Sequence, residues 1–479
     1  MNFEGISLKK NFWRFVWPSV VAQWIFALYT MVDGMFVARG VSESALAAVN
    51  IVSPFVNFLF SVSILFAVGT STIVAIYLGQ GKHLEANQAN TQNLIVSAAV
   101  SLLITVVMWL GVNPAVRFLG ATEATMEYAR HYILSILPFA WCFILSYTFE
   151  TLVKTDGYPR FATIVVSLGA VINCILDYLF VMVFHWGVAG AGVATGISQM
   201  IPVFLYLKHF LGPKAVIRFA KPRWDFGQLG RVVKIGLSSG LTELSAGITV
   251  LMFNHAILRY IGEQGVVSYT IIAYVNMIVV MSMAGISQGI QPLISFYYGK
   301  QDHKVCKKLL RYSLAATVGL AGAAFLACMG GAQLLVNVFI SKELTGLRVY
   351  SASVFRIFSV SFLIVGFNVV GSGYFTAVER PKESLVISLG RGVVILFAAL
   401  AGCIALFGGE GIWWAPTVSE AACLGITLLL VRRMAGREER ERTEGGIPAG
   451  PASPEAAIPA GQQNGRYPAE KYYADAGKK

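Results

Sequence analysis

Four oxygen-bearing side chains, Asp33, Asn173, Asp177 and Thr195, lie inside stretches otherwise apolar enough to sit in a bilayer. A carboxylate there costs about 3 kcal/mol by insertion scales, so it is expected to face a protein interior or a water-filled cavity and to be functional. Asn173 and Asp177 stand at i and i+4 in NCILD, which puts them on one face of a helix. Two carboxylates, a carboxamide and a hydroxyl suit either of two tasks. They can ligate a hard cation such as sodium, or, as desolvated and mutually repelling acids, exchange a proton near neutral pH. The residues alone leave both open. Further polar groups are embedded in the second half: Glu243 and Arg391, each about ten residues from the same end of its helix, are expected to pair, and Glu420 has no assigned role. Met277, Met281 and Met283 are expected chiefly to pack, with a soft, adaptable surface for varied apolar cations as the other reading. Pro18 interrupts the run that leads to Asp33.

The elements that position these groups are membrane helices. Of 479 residues, 56% are hydrophobic and 13% charged, with a mean hydropathy of +0.66, far from the balance of soluble domains. Apolar runs of helix-spanning length recur along the chain, centred near residues 25, 66, 102, 141, 173, 200, 246, 282, 325, 365, 396 and 422. The alternating strands of a membrane β-barrel are absent from the pattern. An all-α protein of twelve transmembrane helices follows. The net charge of +12 is concentrated in loops on one side, notably Lys208 to Lys234 and Lys300 to Arg311. That side is therefore cytoplasmic and holds both termini, and the charge does not imply nucleic acid. The first apolar run is too long for a signal-peptide core and is expected to be retained. Six cysteines lie mostly in apolar runs without a CxxC pair, and read as small core residues. On this topology Asp33 lies about six residues, or roughly 9 Å, below the outer surface. Asp177 lies about eight residues before the outer turn at His185 and Trp186, and Thr195 about eight residues after it. All four are expected to meet in the outer half of the first bundle.

The two halves of the chain repeat with a shift of about 220 residues. VNFLFSV at Asn57 overlays VNMIVVM at Asn276, YLGQGK overlays YYGKQD, and Ser167-Leu168-Gly169 overlays Ser388-Leu389-Gly390. Six helices per half make the repeats parallel, with a central cleft between the bundles. Expected domains are a bundle over 1–211, a basic linker over 212–231, a second bundle over 232–433 and a disordered tail over 434–479. The acids have no counterpart in the second half, where Val394 and Ala398 stand in the places of Asn173 and Asp177.

Pro18, Gln23 and Asp33 in the first helix, Asn173 and Asp177 in the fifth, Thr195 in the sixth and the two LGQG-type turns together resemble the multidrug and toxic compound extrusion (MATE) family. Within it they resemble the branch of the DNA-damage-inducible protein F, over nearly all of residues 10 to 433. The other main branch places acids in the seventh and tenth helices; here Glu243 overlays Gln23, and the tenth helix has none. The resemblance implies cation coupling by Asp33, Asn173, Asp177 and Thr195, with either a proton or a sodium ion, and a bend permitted by Pro18. Gln23, Glu243, Met277, Met281 and Arg391 are assigned to the substrate cleft between the bundles, which for Glu243 and Arg391 is the second reading beside their ion pair. The expected activity is secondary active export of amphipathic, often cationic, drugs across the cell's inner membrane by alternating access. The chain would act as a monomer in the lipid bilayer, without cofactor or nucleic acid. A lipid-linked precursor flippase shares the plan but calls for several cavity arginines. A membrane enzyme would need a positioned nucleophile or a metal motif, and no HExxH occurs.

Overall fold

The computed structural model describes residues 5–444. Eleven helices are long and apolar enough to cross a membrane, and a twelfth span is a helix pair bent by 40°. In chain order, α1 (Leu8–Gly40), α2 (Glu43–Gly79), α3 (His83–Leu110) and the short α4 (Val112–Phe118) are followed by α5 (Glu123–Ile136) and α6 (Ala140–Thr155). These two form one span, parted by a single 3-10 turn at Leu137–Phe139, where Pro138 removes a backbone donor. Next come α7 (Pro159–Asp177), running into a π-helical segment Tyr178–Val183, and α8 (Gly187–Phe210). The second half holds α9 (Phe226–Tyr260), α10 (Glu263–Gly299), α11 (His303–Phe339), the bent pair α12 (Thr345–Ser359) and α13 (Phe362–Ala377), and α14 (Pro381–Leu389). A second π-helical segment, Gly390–Val394, leads to α15 (Ile395–Phe407) and α16 (Ala415–Glu444). Ser359 and Ser361 donate to the carbonyls of Arg356 and Phe358, both at 2.7 Å, at the bend between α12 and α13. Hydroxyls bonded back to their own helix commonly bend it.

The repeat is visible in backbone geometry. Lys82 N–H bonds Tyr77 O at 2.9 Å, and Asp302 N–H bonds Tyr297 O at 2.9 Å. In these turns Gly81 (φ 76°) and Gln301 (φ 61°) occupy the left-handed region. The glutamine carries the steric strain that the glycine avoids.

The two bundles meet along two seams, α1 on α10 and α2 on α9, with α2 and α10 also packed on each other between them. Both seams are built from glycines in the half nearer the linker. A Cβ at Gly285 would stand 2.6 Å from Val20 Cα, and one at Gly289 2.7 Å from Val16 Cα. Gly69 and Gly236 abut the carbonyls of Val232 and Leu65 in the same way, and Gly79 and Gly299 abut those of Phe296 and Ile76. Hydrogen bonds cross in the same half. Gln291 Nε2 donates to Thr72 Oγ1 at 2.9 Å, Ser61 Oγ to Gly240 O at 2.8 Å, and Arg231 reaches both Glu379 and Tyr77. The bundles are therefore closed on each other at this end. The seams also revise the repeat register. Gly69 on Val232 matches Gly289 on Val16, a shift of 220 (289 − 69) in α2 and α10 but 216 (232 − 16) in α1 and α9. Glu243 is thus the counterpart of Ala27, one turn from the expected Gln23.

The expected linker over 212–231 ends earlier, because α9 starts at Phe226 with the Asp225 side chain capping the Gln228 N–H at 3.0 Å. Residues before it are tied to the first bundle. The buried Asp156 accepts from Val216 N–H (2.9 Å) and Ile217 N–H (2.8 Å) and meets His209 at 2.8 Å. Asn87, Thr91 and Gln92 on α3 accept from Arg218, Ala220 and Asp225 backbone N–H groups. Of the expected disordered tail over 434–479, residues up to Glu444 belong to α16, and 445–479 lie outside the described residues.

Candidate functional site

α1 and α7 pack together over their length, and their far ends bring Asp33 and Asp177 together. The two carboxyls come within hydrogen-bonding reach of each other. Two carboxylates can share such a contact only when a proton lies between them or a cation bridges them. Asp177 has 0% of its surface exposed and Asn173 1%. Neither Asp177 oxygen has a hydrogen-bond donor, Asp33 Oδ1 has none, and both Asn173 amide atoms are unpartnered. Buried polar atoms are almost always satisfied, so these orphaned atoms have no partner within the protein and call for water, a proton or an ion. The elements explain why the groups are held there. Asp177 is the last residue of α7 before the π-helical segment, whose wider turn re-aims the chain, as such segments often do at functional sites. Gly40 lets the end of α1 lie against Val181 and Met182 of that segment.

Thr195 on α8 is half-buried and donates its hydroxyl hydrogen to Ala191 O at 3.0 Å in its own helix, leaving oxygen lone pairs for a cation. Two groups that the pattern of acids did not reveal are Tyr29 and Tyr132, both within electrostatic reach of Asp33 and Asp177. Tyr29 lies one turn before Asp33, so helical spacing alone indicates it. Tyr132 comes from α5, and only folding brings it near. Among the described residues, no group of three or more His, Cys, Asp or Glu forms a metal cluster. The donors that come together here are carboxylate and carboxamide oxygens, which suit a hard monovalent cation or a proton. α1 continues unbroken through Pro18, whose carbonyl accepts from Thr163 Oγ1 of α7 at 2.8 Å.

The residues assigned to the cleft divide. Gln23 Nε2 donates to Gln288 Oε1 at 2.8 Å across the bundles, and Glu243 lies half-buried on α9. Met277 and Met281 are half-buried on α10. Arg391 does not pair with Glu243. It sits in the second π-helical segment, with Nε 2.9 Å from Glu420 Oε1. Asn368 Nδ2 completes Glu420 through Oε2 at 2.7 Å, and Thr427 Oγ1 donates to Asn368 Oδ1 at 3.0 Å. This network within the second bundle gives Glu420 its role and supplies Arg391 with a partner other than Glu243.

A family model described as MatE matches residues 18–179 and 239–400. The multidrug export protein MepA of Staphylococcus aureus (strain bovine RF122 / ET3-1) is 22% identical over 435 residues, covering 90% of this chain and 94% of that protein. MepA of Staphylococcus haemolyticus is 22% identical over 442 residues, covering 91% and 96%. A solved outward-facing conformation of a multidrug resistance MATE family transporter of the MOP superfamily superimposes with a TM-score of 0.86 at 20% identity. It covers 91% of this chain and 97% of that one.

Proposed function

This chain belongs to the MatE family, whose members are membrane transporters and not enzymes, and on that premise we propose that it exports amphipathic, often cationic, small molecules by antiport. The observation that carries the reading is the buried meeting of Asp33 and Asp177 beside an unpartnered Asn173. A proton or sodium ion arriving through the open cleft relieves the repulsion between the acids and lowers the free energy of the arrangement that holds α1 against α7. Differential binding of this kind is what lets a gradient shift one conformation over another. Thr195 lends a lone pair, and Tyr29 and Tyr132 lie within electrostatic reach of the two acids. Pro18 is the point at which α1 bends, and the Thr163 hydrogen bond to its carbonyl is broken or remade in that step. Loop lysines and arginines support a cytoplasmic position for the sealed end and both termini. The chain works as a monomer in the cell membrane, with its domains divided near residues 212–225.

The supporting relatives are MepA multidrug export proteins. The arginine that a lipid-pyrophosphate flippase would use, Arg391, is engaged by Glu420. The test is transport of cationic dyes in vesicles under separately imposed proton and sodium gradients. One of the two gradients is expected to drive efflux, and Asp33→Asn to abolish it at normal protein level. Full gradient-driven efflux by Asp33→Asn would remove the mechanism.

A further inference from the structure

Charged side chains in the membrane half nearer the seal are nearly all matched. Lys154 pairs with Glu150, Arg231 with Glu379 and Arg391 with Glu420, while Asp156 is held by His209 and two backbone N–H groups. Glu243 is different: none of the ion pairs among the described residues includes it, and its environment is set by burial without a neighbouring cation. A carboxylate kept in a membrane protein without a partner calls for a ligand.

We propose that Glu243 anchors the positively charged head of a transported organic cation, on a polar floor that α1, α6, α9 and α10 assemble at the bottom of the open cleft. The proposal rests on the exporter reading above and names the substrate position within it. Gly240 packs on Ser61 across the α2–α9 seam, and Glu243 follows three residues later, roughly 4.5 Å farther along the helix. On α1, Gln23 lies three residues beyond Val20, which packs on Gly285, and the next residue, Trp24, donates its Nε1–H to Ser282 Oγ of α10 at 2.7 Å. Gln23 and Gln288 join the bundles by their 2.8 Å hydrogen bond. Tyr147 of α6 stands near Gln288 and within electrostatic reach of Glu243. The floor therefore offers one uncompensated negative charge, an aromatic ring and two carboxamides. Because Lys154 neutralises the nearby Glu150, the local excess is a single charge, matching a monovalent cation.

An organic cation fits this position better than sodium. One carboxylate with carboxamides already bonded to each other supplies too few free oxygens for a stripped hard cation. A Tyr face and thioethers suit a diffuse, weakly hydrated charge. Met277, Met281 and Gln288 fall at i, i+4 and i+11 on α10, so one helical stripe leads from the methionines to the floor. Since the floor draws on both bundles, separation of the seams disassembles it. Loss of the anchor is thereby tied to the conformational change.

The experiment is equilibrium binding of tetraphenylphosphonium to the whole chain in nanodiscs, at constant pH and sodium with no gradient. Triphenylphosphine oxide serves as an uncharged probe of similar shape. Glu243→Gln is expected to weaken the cation by about tenfold or more and to leave the neutral probe unchanged. Glu243→Asp, which keeps the charge, is expected to retain most of the cation affinity, with thermal unfolding confirming that both variants fold. If the unaltered chain exports tetraphenylphosphonium and Glu243→Gln binds it as tightly, this inference fails while the exporter reading stands. An unaltered chain that neither binds nor exports organic cations overturns the reading beneath it.

Discussion

Gly285→Ala tests the sealed end of the cleft directly. The added methyl carbon would stand 2.6 Å from Val20 Cα, where carbon contacts settle near about 3.5 Å, so α1 and α10 must part locally by about 0.9 Å. The obstacle is backbone and cannot rotate aside. Overpacking of this sort costs roughly 1–3 kcal/mol, and only the conformation that holds the seam incurs it. The helix propensity gained on replacing glycine by alanine applies in both conformations and cancels. The population of the sealed form is then expected to fall by a factor of roughly 5–150 relative to its alternative. A reporter follows from the seam: Thr72, 1% exposed and bonded to Gln291, becomes accessible only when the bundles separate. With the six native cysteines replaced and Thr72→Cys introduced, an impermeant maleimide added to the sealed side should label Gly285→Ala about tenfold faster than its parent. Gly319→Ala, with nothing within 4 Å of its added carbon, is the control and should not change the rate. Equal labelling of the two alanine variants would refute the glycine seam as the seal.

Asp177→Asn should match Asp33→Asn in abolishing gradient-driven efflux, and the double variant should be no worse than either, since each acid acts through the other; additive losses in a vesicle efflux assay would contradict a shared site. Arg391→Met and Glu420→Gln should each lower stability by about 3–5 kcal/mol by leaving a buried charge unpaired, while the double variant recovers most of it. Thermal unfolding in detergent checks this, and a double variant as unstable as the sum of the singles would show that the two charges do not compensate one another. Asp156→Ala removes the acceptor of three charge-assisted contacts and should destabilise the linker's attachment by about 3 kcal/mol. Limited proteolysis is expected to cleave within residues 212–225 of that variant well before the parent chain.

How much was legible beforehand differs between the fold and the site. All twelve predicted helix centres fall inside observed spans, because hydropathy is a local sum and each backbone must satisfy its own hydrogen bonds in lipid. Asp33, Asn173 and Asp177 stood out for the same local reason: polar groups are costly where their neighbours are apolar. Tyr132 carried no such signal, since tyrosine is unremarkable in a membrane helix until α5 is placed against α1 and α7. Arg391 pairs with Glu420 and not with Glu243, the acid that its depth in the helix suggests. Depth along a helix says which residues share a level but not which direction each faces, and the π-helical segment at Gly390 rotates Arg391 toward α16. Register behaved similarly, because four residues are one turn and leave the apolar pattern of α9 almost unchanged, so only the backbone contacts at Gly236 and Val232 reveal the shift to 216.

The amino-acid sequence by itself therefore determined the class of protein, its twelve spans, its twofold repeat and the acids worth watching, all of which follow from the energetics of single segments in a bilayer. Tertiary structure alone decided that Glu420 takes Arg391, that Glu243 is left without a cation and that the bundles are closed on each other by glycines at one end. Those outcomes depend on the rotation and approach of helices far apart in the chain, to which the composition of any one helix is nearly indifferent.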